Sequence, residues 1–188
     1  MGYLEDKLAL VAFIVTTVVA IIAAVIDFRR FRVPNALTFP LCLLGLAFHT
    51  AFGGLVGLQY SFGGIAVGML ALLLFYIMGV MGAGDVKLLA AVGAWIGPIN
   101  TLYVFCVAGI AAGIHSLAVL AWQRRLRMVP IVFQVSLVQV MTLGRHLSRS
   151  DSASLAETTQ RPDRHRYVMP FAVMIAIGVV VVAIKSWS

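Results

Sequence analysis

The chain has 188 residues, of which 62% are hydrophobic and only 11% charged, with a net charge of +7. Soluble domains carry about 25% charged residues, and a mean hydropathy of +1.02 leaves too little polar surface to face water. Composition therefore excludes a soluble fold, and continuous rather than alternating apolar runs exclude a β-barrel. The expectation is an all-α polytopic membrane helix bundle, one domain over residues 1–188.

Residues 8–26 hold no charge and suffice to cross a bilayer, which takes about 20 apolar residues. Their flank, Glu5-Asp6-Lys7, is not the basic start of a signal peptide, so the run reads as a transmembrane helix. Pro34 and Asn35 open the next span, 36–57, with Asn35 a favourable helix cap. Further spans are expected at 62–81, 86–97, 99–122 and 167–184. The run 86–97 is short, about 18 Å as a helix.

Charge decides how it is counted. With six transmembrane helices and both termini external, the inside holds Arg29, Arg30, Arg32, Lys87 and the eight arginines from Arg124 to Arg166. The outside keeps Lys7 and Lys185, which satisfies the positive-inside rule. A re-entrant 86–97 would move the 123–166 loop outside and lose that asymmetry. Residues 128–144 are apolar but interrupted by Gln134, Ser136, Gln139 and Thr142. Counted as a seventh span they would move Arg145, Arg149, Arg161, Arg164 and Arg166 outside and lose most of that asymmetry. They read instead as a helix on the inner membrane surface, within a cytoplasmic loop over 123–166. Glycine pairs Gly64/Gly68, Gly93/Gly97 and Gly109/Gly113 are spaced to let helices approach closely.

Between Lys7 and Ser150 the acidic residues are Asp27 and Asp85. A carboxylate costs roughly 2.5–3.5 kcal/mol at the centre of a membrane helix, so such residues are candidates for function. Asp27 closes the first span and Asp85 opens the fourth, which puts both at the inner face. Brought together, two like charges would share one proton, and the pair could hydrolyse a peptide bond as general base and general acid. Each also has a plainer reading: Asp27 as counter-charge to Arg29, Arg30 or Arg32, and Asp85 as a helix cap. Cys42 and Cys106 form no C-x-x-C and read as small buried hydrophobes, so neither metal nor cofactor is expected. The absence of H-E-x-x-H and G-x-S-x-G argues against metalloprotease and serine chemistry. His49 and His115, inside spans, read as packed residues.

The segment Gly82-Ala83-Gly84-Asp85-Val86-Lys87-Leu88-Leu89, continuing to Gly93-Ala94-Trp95-Ile96-Gly97, resembles the G-x-G-D signature of type IV prepilin peptidases. Asp27 followed by Arg32-Val33-Pro34-Asn35 resembles that family's other block, and Val168-Met169-Pro170-Phe171-Ala172 its final one. The resemblance implies that Asp27 and Asp85 are the catalytic aspartates of an intramembrane aspartic endopeptidase. Gly82 and Gly84 would shape the turn that holds the second aspartate, Lys87 would anchor the interface, and Pro34 and Asn35 would set the turn into the second helix. The implied substrates are prepilin and pseudopilin leader peptides, cut after a Gly at the cytoplasmic face of the bacterial inner membrane.

The long members of the family carry an amino-terminal segment with paired C-x-x-C motifs and also N-methylate the product. This chain shows neither motif, so the short, peptidase-only form of Flp/tight-adherence pili is expected. The basic inner surface should also attract anionic lipid, and its charge reports topology rather than nucleic acid. The competing expectations are a non-catalytic pilus-assembly subunit and a small proton-coupled transporter using Asp27 and Asp85. A transporter would show matching halves with sites near the midplane, which this chain lacks.

Overall fold

A computed structural model describes residues 2–30, 34–77, 81–122 and 171–186. They form four helices: α1 (Gly2–Arg30), α2 (Asn35–Ile77), α3 (Ala83–Trp122) and α4 (Phe171–Lys185). The first three are long and apolar enough to cross a membrane, and α4 is a shorter apolar helix. Large apolar side chains such as Leu55 (78% exposed), Phe62 (65%) and Ile110 (64%) face outward. Such a surface fits hydrocarbon rather than water, and the protein is a helical membrane protein. The expected loop 123–166 and surface helix 128–144 lie outside the described residues.

Two compact units divide the chain: residues Met1–Gly113 with Pro170–Ser188, and Ile114–Met169. Of the second, the described part is the end of α3. All packing below belongs to the first.

α2 and α3 are each two helical arms joined at one glycine. Gly54 has φ 57° and Gly97 has φ 76° with ψ 177°, backbone conformations that a side chain would strain. The chain doubles back at both. The His49 and Tyr60 rings meet at 5.2 Å across the first break, and Gly93 lies against Thr101 across the second. Pro98, the residue after Gly97, suits the first turn of a helix because its missing N–H would have had no partner there. The expected boundary at 97 therefore falls on the break. The expected end at 57 does not, because the backbone turns earlier, at Gly54.

Breaking α3 at Gly97 orphans the carbonyls of its preceding turn, and each receives a side-chain donor. Ser61 Oγ donates to the Ala94 carbonyl (2.6 Å), His49 Nε2 to Trp95 (2.8 Å) and Tyr60 Oη to Ile96 (2.7 Å). A carbonyl only accepts, so His49 carries its hydrogen on Nε2. Asn100 Nδ2 adds a bond to Ile96 (3.0 Å) and Thr101 Oγ1 one to Gly97 (2.6 Å). Hydrocarbon offers no water for these groups, so the side chains stand in for it.

The short run 86–97 is the centre of the bundle. Every residue from 88 to 97 is buried, which is why the segment is apolar on all sides rather than along one stripe. Glycines supply the close contacts: Gly64 lies against the Gly93 backbone, Gly68 against the Leu89 backbone, and Gly178 against Val104. Gly109 and Gly113 were expected to do the same, but both face open space. Cys106 is likewise exposed rather than buried, while Cys42 is half-buried. Trp95 lies over Gly45, stacks on Phe48 at 5.3 Å and donates its indole N–H to the Leu41 carbonyl at 2.8 Å. α1 runs antiparallel along α4 and buries Ala12, Thr16, Ala20, Ala23 and Asp27, spaced three or four residues apart on one face.

Candidate active site

Three helix beginnings and one helix end meet at one end of this unit. Asp27 lies one turn before the end of α1, Asn35 opens α2, Asp85 lies in the first turn of α3, and Ala172 in the first turn of α4. The two carboxylates, 58 positions apart in the chain, are electrostatic neighbours. Asp27 is only 7% exposed and Asp85 half-buried.

Each carboxylate is held by backbone. Asp27 accepts a hydrogen bond from the Ala172 N–H, one of the donors that a helix start leaves without an intrahelical partner. Asp85 is approached by the Gly82 N–H, while its own N–H donates to the Gly82 carbonyl at 3.2 Å. Gly82 thus stands where a helix cap stands and Asp85 reaches back to it, as the acid of a capping box does. The helix cap is therefore Gly82 rather than Asp85, which reaches back from the third helical position. Of the cations in the counter-charge reading, Arg29 is exposed and forms no ion pair with Asp27; the Arg30 side chain and Arg32 lie outside the described residues.

Lys87 lies two residues beyond Asp85 and donates from Nζ to Asn35 Oδ1 at 3.1 Å, tying the start of α3 to that of α2. Pro34 accepts the Leu37 N–H at 3.0 Å, closing the turn into α2. Gly82 and Gly84 do not take positive φ. A Cβ at Gly82 would meet Asp85 Oδ2 at an ordinary 3.7 Å, so Gly82 is small without being conformationally special. Arg32, Val33 and residues 168–170 lie outside the described residues.

The expected residues Asp27, Asp85, Gly82, Gly84, Lys87, Pro34 and Asn35 therefore gather at one end, with Lys87 and Asn35 joined directly. Ala172 was missed as a functional residue. Its contribution is a main-chain amide, which no side-chain motif announces, although the Pro-aromatic-small block containing it was visible.

These elements define a helical membrane protein with a pair of neighbouring carboxylates at one end of its bundle. The model of the type IV leader peptidase family matches residues 14–117, more than half of the chain, and the protein belongs to that family. Among curated relatives, prepilin leader peptidase/N-methyltransferases resemble it. The Dickeya chrysanthemi protein is 31% identical over 80% of this chain and 52% of its own length. That of Escherichia coli strain K12 is 36% identical over 54% and 48%, and that of Vibrio cholerae 34% over 48% and 38%. The chain thus spans about half or less of the relatives' length. No solved structure matches it.

Proposed function

We propose that the protein is an intramembrane aspartic endopeptidase that removes the basic leader of prepilin-like substrates after a Gly, at the cytoplasmic face of the inner membrane. One observation carries the reading: Asp27 and Asp85, distant in sequence, are electrostatic neighbours at one end of the bundle in a chain of the leader-peptidase family. One carboxylate takes a proton from water as that water attacks the scissile carbonyl. The other, protonated, donates to the carbonyl oxygen; as the resulting diol collapses it takes a proton back, and the first carboxylate passes the proton it took from water to the departing amine. The shared proton belongs to the pair rather than to either residue. The amides of Ala172 and Gly82 fix where each carboxylate points.

Split at Gly54 and Gly97, the four helices supply six rods, and the arrangement supported by charge is six spans with both termini external and the 123–166 loop inside. Asp27, Asp85 and Lys87 then lie on the cytoplasmic side. For residues 1–188 the proposal is peptidase activity alone, whereas the relatives' names carry methyl transfer as well.

The experiment is cleavage of a prepilin co-reconstituted with wild type, Asp27→Asn or Asp85→Asn, followed by mass spectrometry. Loss of processing in both variants, with helicity retained, is the expected result. Undiminished cleavage by either would sink the aspartic mechanism. The mass of the mature amino terminus in the wild-type reaction, with a methyl donor supplied, decides the methylation question.

A further inference from the structure

Thr38, in the first turn of α2, is only 4% exposed, yet among the described residues its hydroxyl makes no hydrogen bond. Thr16, Thr50 and Thr101 each turn the hydroxyl onto the carbonyl four residues earlier, at 2.7, 2.6 and 2.6 Å, the local outlet open to a helical threonine. Thr38 does not use it: the Pro34 carbonyl takes the Leu37 N–H instead. No fully enclosed side-chain oxygen or nitrogen among the described residues lacks a partner. The small accessible part of Thr38 therefore includes its oxygen.

The register of two helices tells where that oxygen faces. The first arms of α2 and α3 run side by side in one direction, Asn35 meeting Lys87 and Gly45 meeting Ala94 and Trp95. A Cβ added at Gly45 would lie 3.0 Å from that of Ala94, so these two residues are level. Seven residues back on both helices, two turns or about 10.5 Å, stand Thr38 and Lys87, on the faces that carry Gly45 and Ala94. Asn35 is one turn from Thr38, a neighbour at about 5–6 Å. Its Oδ1 takes one proton of the Lys87 ammonium, which has two more to give. A hydroxyl, a cation and a side-chain amide thus converge where an oxygen remains accessible. A buried water needs about two to four polar partners, and three stand here.

We propose that Thr38 is a positioning residue of the active site, its hydroxyl joined through one water to the Lys87 ammonium and completing a three-member tie with Asn35. The proposal rests on Asp85 being one of the catalytic pair, and it adds a residue that acts on Asp85 through Lys87 without touching substrate. Lys87 stands two residues beyond Asp85. Held at Asn35 alone, the first turn of α3 can pivot about that contact; held from two points one turn apart on α2, both its depth and its rotation are fixed.

The experiment is steady-state cleavage, by the full chain in proteoliposomes, of a synthetic peptide with a basic leader, a Gly and an apolar helix. Thr38→Val keeps the shape and removes the hydroxyl. It is expected to lower kcat about tenfold, the loss of one bond to a charged group, with KM and the thermal midpoint unchanged. Thr38→Ser should restore kcat, and in a Lys87→Ala chain Thr38→Val should cost nothing further. Thr50→Val, which removes an exposed hydroxyl bonded within its own helix, should keep the wild-type rate. Full kcat in Thr38→Val overturns the proposal. So does a loss that Ser does not repair, or one that adds in full to that of Lys87→Ala, because either marks a packing role.

Asp85→Asn is assayed beside these variants, so the two readings fail separately. Coupled losses at 38 and 87 with full cleavage by Asp85→Asn would keep the tie and remove the catalytic reading. Lost cleavage by Asp85→Asn with full kcat in Thr38→Val would do the reverse.

Discussion

Lys87 and Asn35 come from different blocks of the sequence and hold each other at the beginnings of two helices. The bond is exposed, so its value lies in placing Asp85 rather than in stability. Lys87→Ala and Asn35→Ala are each expected to reduce cleavage, with the double variant little worse than either single one. Residues that share one interaction are non-additive, and a kinetic double-mutant cycle measures this; strictly additive losses would separate the two residues. Asp27 offers a sharper case because its donor is a main-chain amide. Ala172→Pro deletes that N–H in a first helical turn, where proline is tolerated, while Ala172→Gly keeps it. A hydrogen bond to a charged group is worth about 1.5–3 kcal/mol, so the proline variant should lose activity by roughly 10- to 100-fold. Equal activities for the two variants would show that the amide is dispensable. Asp27 and Asp85 were legible in the sequence because carboxylates in an apolar run are conspicuous. Ala172 was not, since a backbone donor leaves no chemical trace in a residue name.

At the level of helices, the first arm of α3 is set by small residues and captured carbonyls. Gly64→Val would drive a side chain into the Gly93 backbone, and overpacking of this kind costs about 1–3 kcal/mol. Thermal unfolding in detergent should register it as a lower midpoint, whereas Gly109→Val, facing open space, should leave the midpoint unchanged. Ser61→Ala and Tyr60→Phe each remove a donor from a carbonyl at the Gly97 break. Interhelical side-chain bonds in a membrane average about 0.6 kcal/mol, so each variant alone should be mildly destabilised and the pair more so. The breaks themselves were unequally readable. Gly97 stands before Pro98, and that dipeptide marks a turn; Gly54 sits in an apolar stretch whose hydropathy does not change, and the expected span ran three residues past it. Nor does spacing distinguish Gly64 from Gly109, because the partner surface is supplied by distant sequence.

For the molecule as a whole, the six-span arrangement makes a prediction that needs no activity. In a chain carrying Cys42→Ala and Cys106→Ala, a cysteine at Ser150 should react with an impermeant thiol reagent only after the inner membrane is opened. One at Ser186 should react in intact spheroplasts. The opposite pattern at either position would overturn the proposed orientation. Membrane class and helical character were evident from composition alone, since no arrangement of a chain this apolar hides it from water. The central place of residues 86–97 was less evident, because their shortness suggested a marginal segment. The arm over residues 83–96 extends about 21 Å, some 9 Å less than the hydrocarbon thickness, and it is enclosed by neighbouring rods rather than by lipid. A rod so shielded need not match the bilayer, and in the proposed six-span arrangement the shortfall would leave a recess beneath the membrane surface. With Asp85 in its first turn, such a recess would form a hydrated well, letting a reaction that consumes water take place below the level of the lipid headgroups.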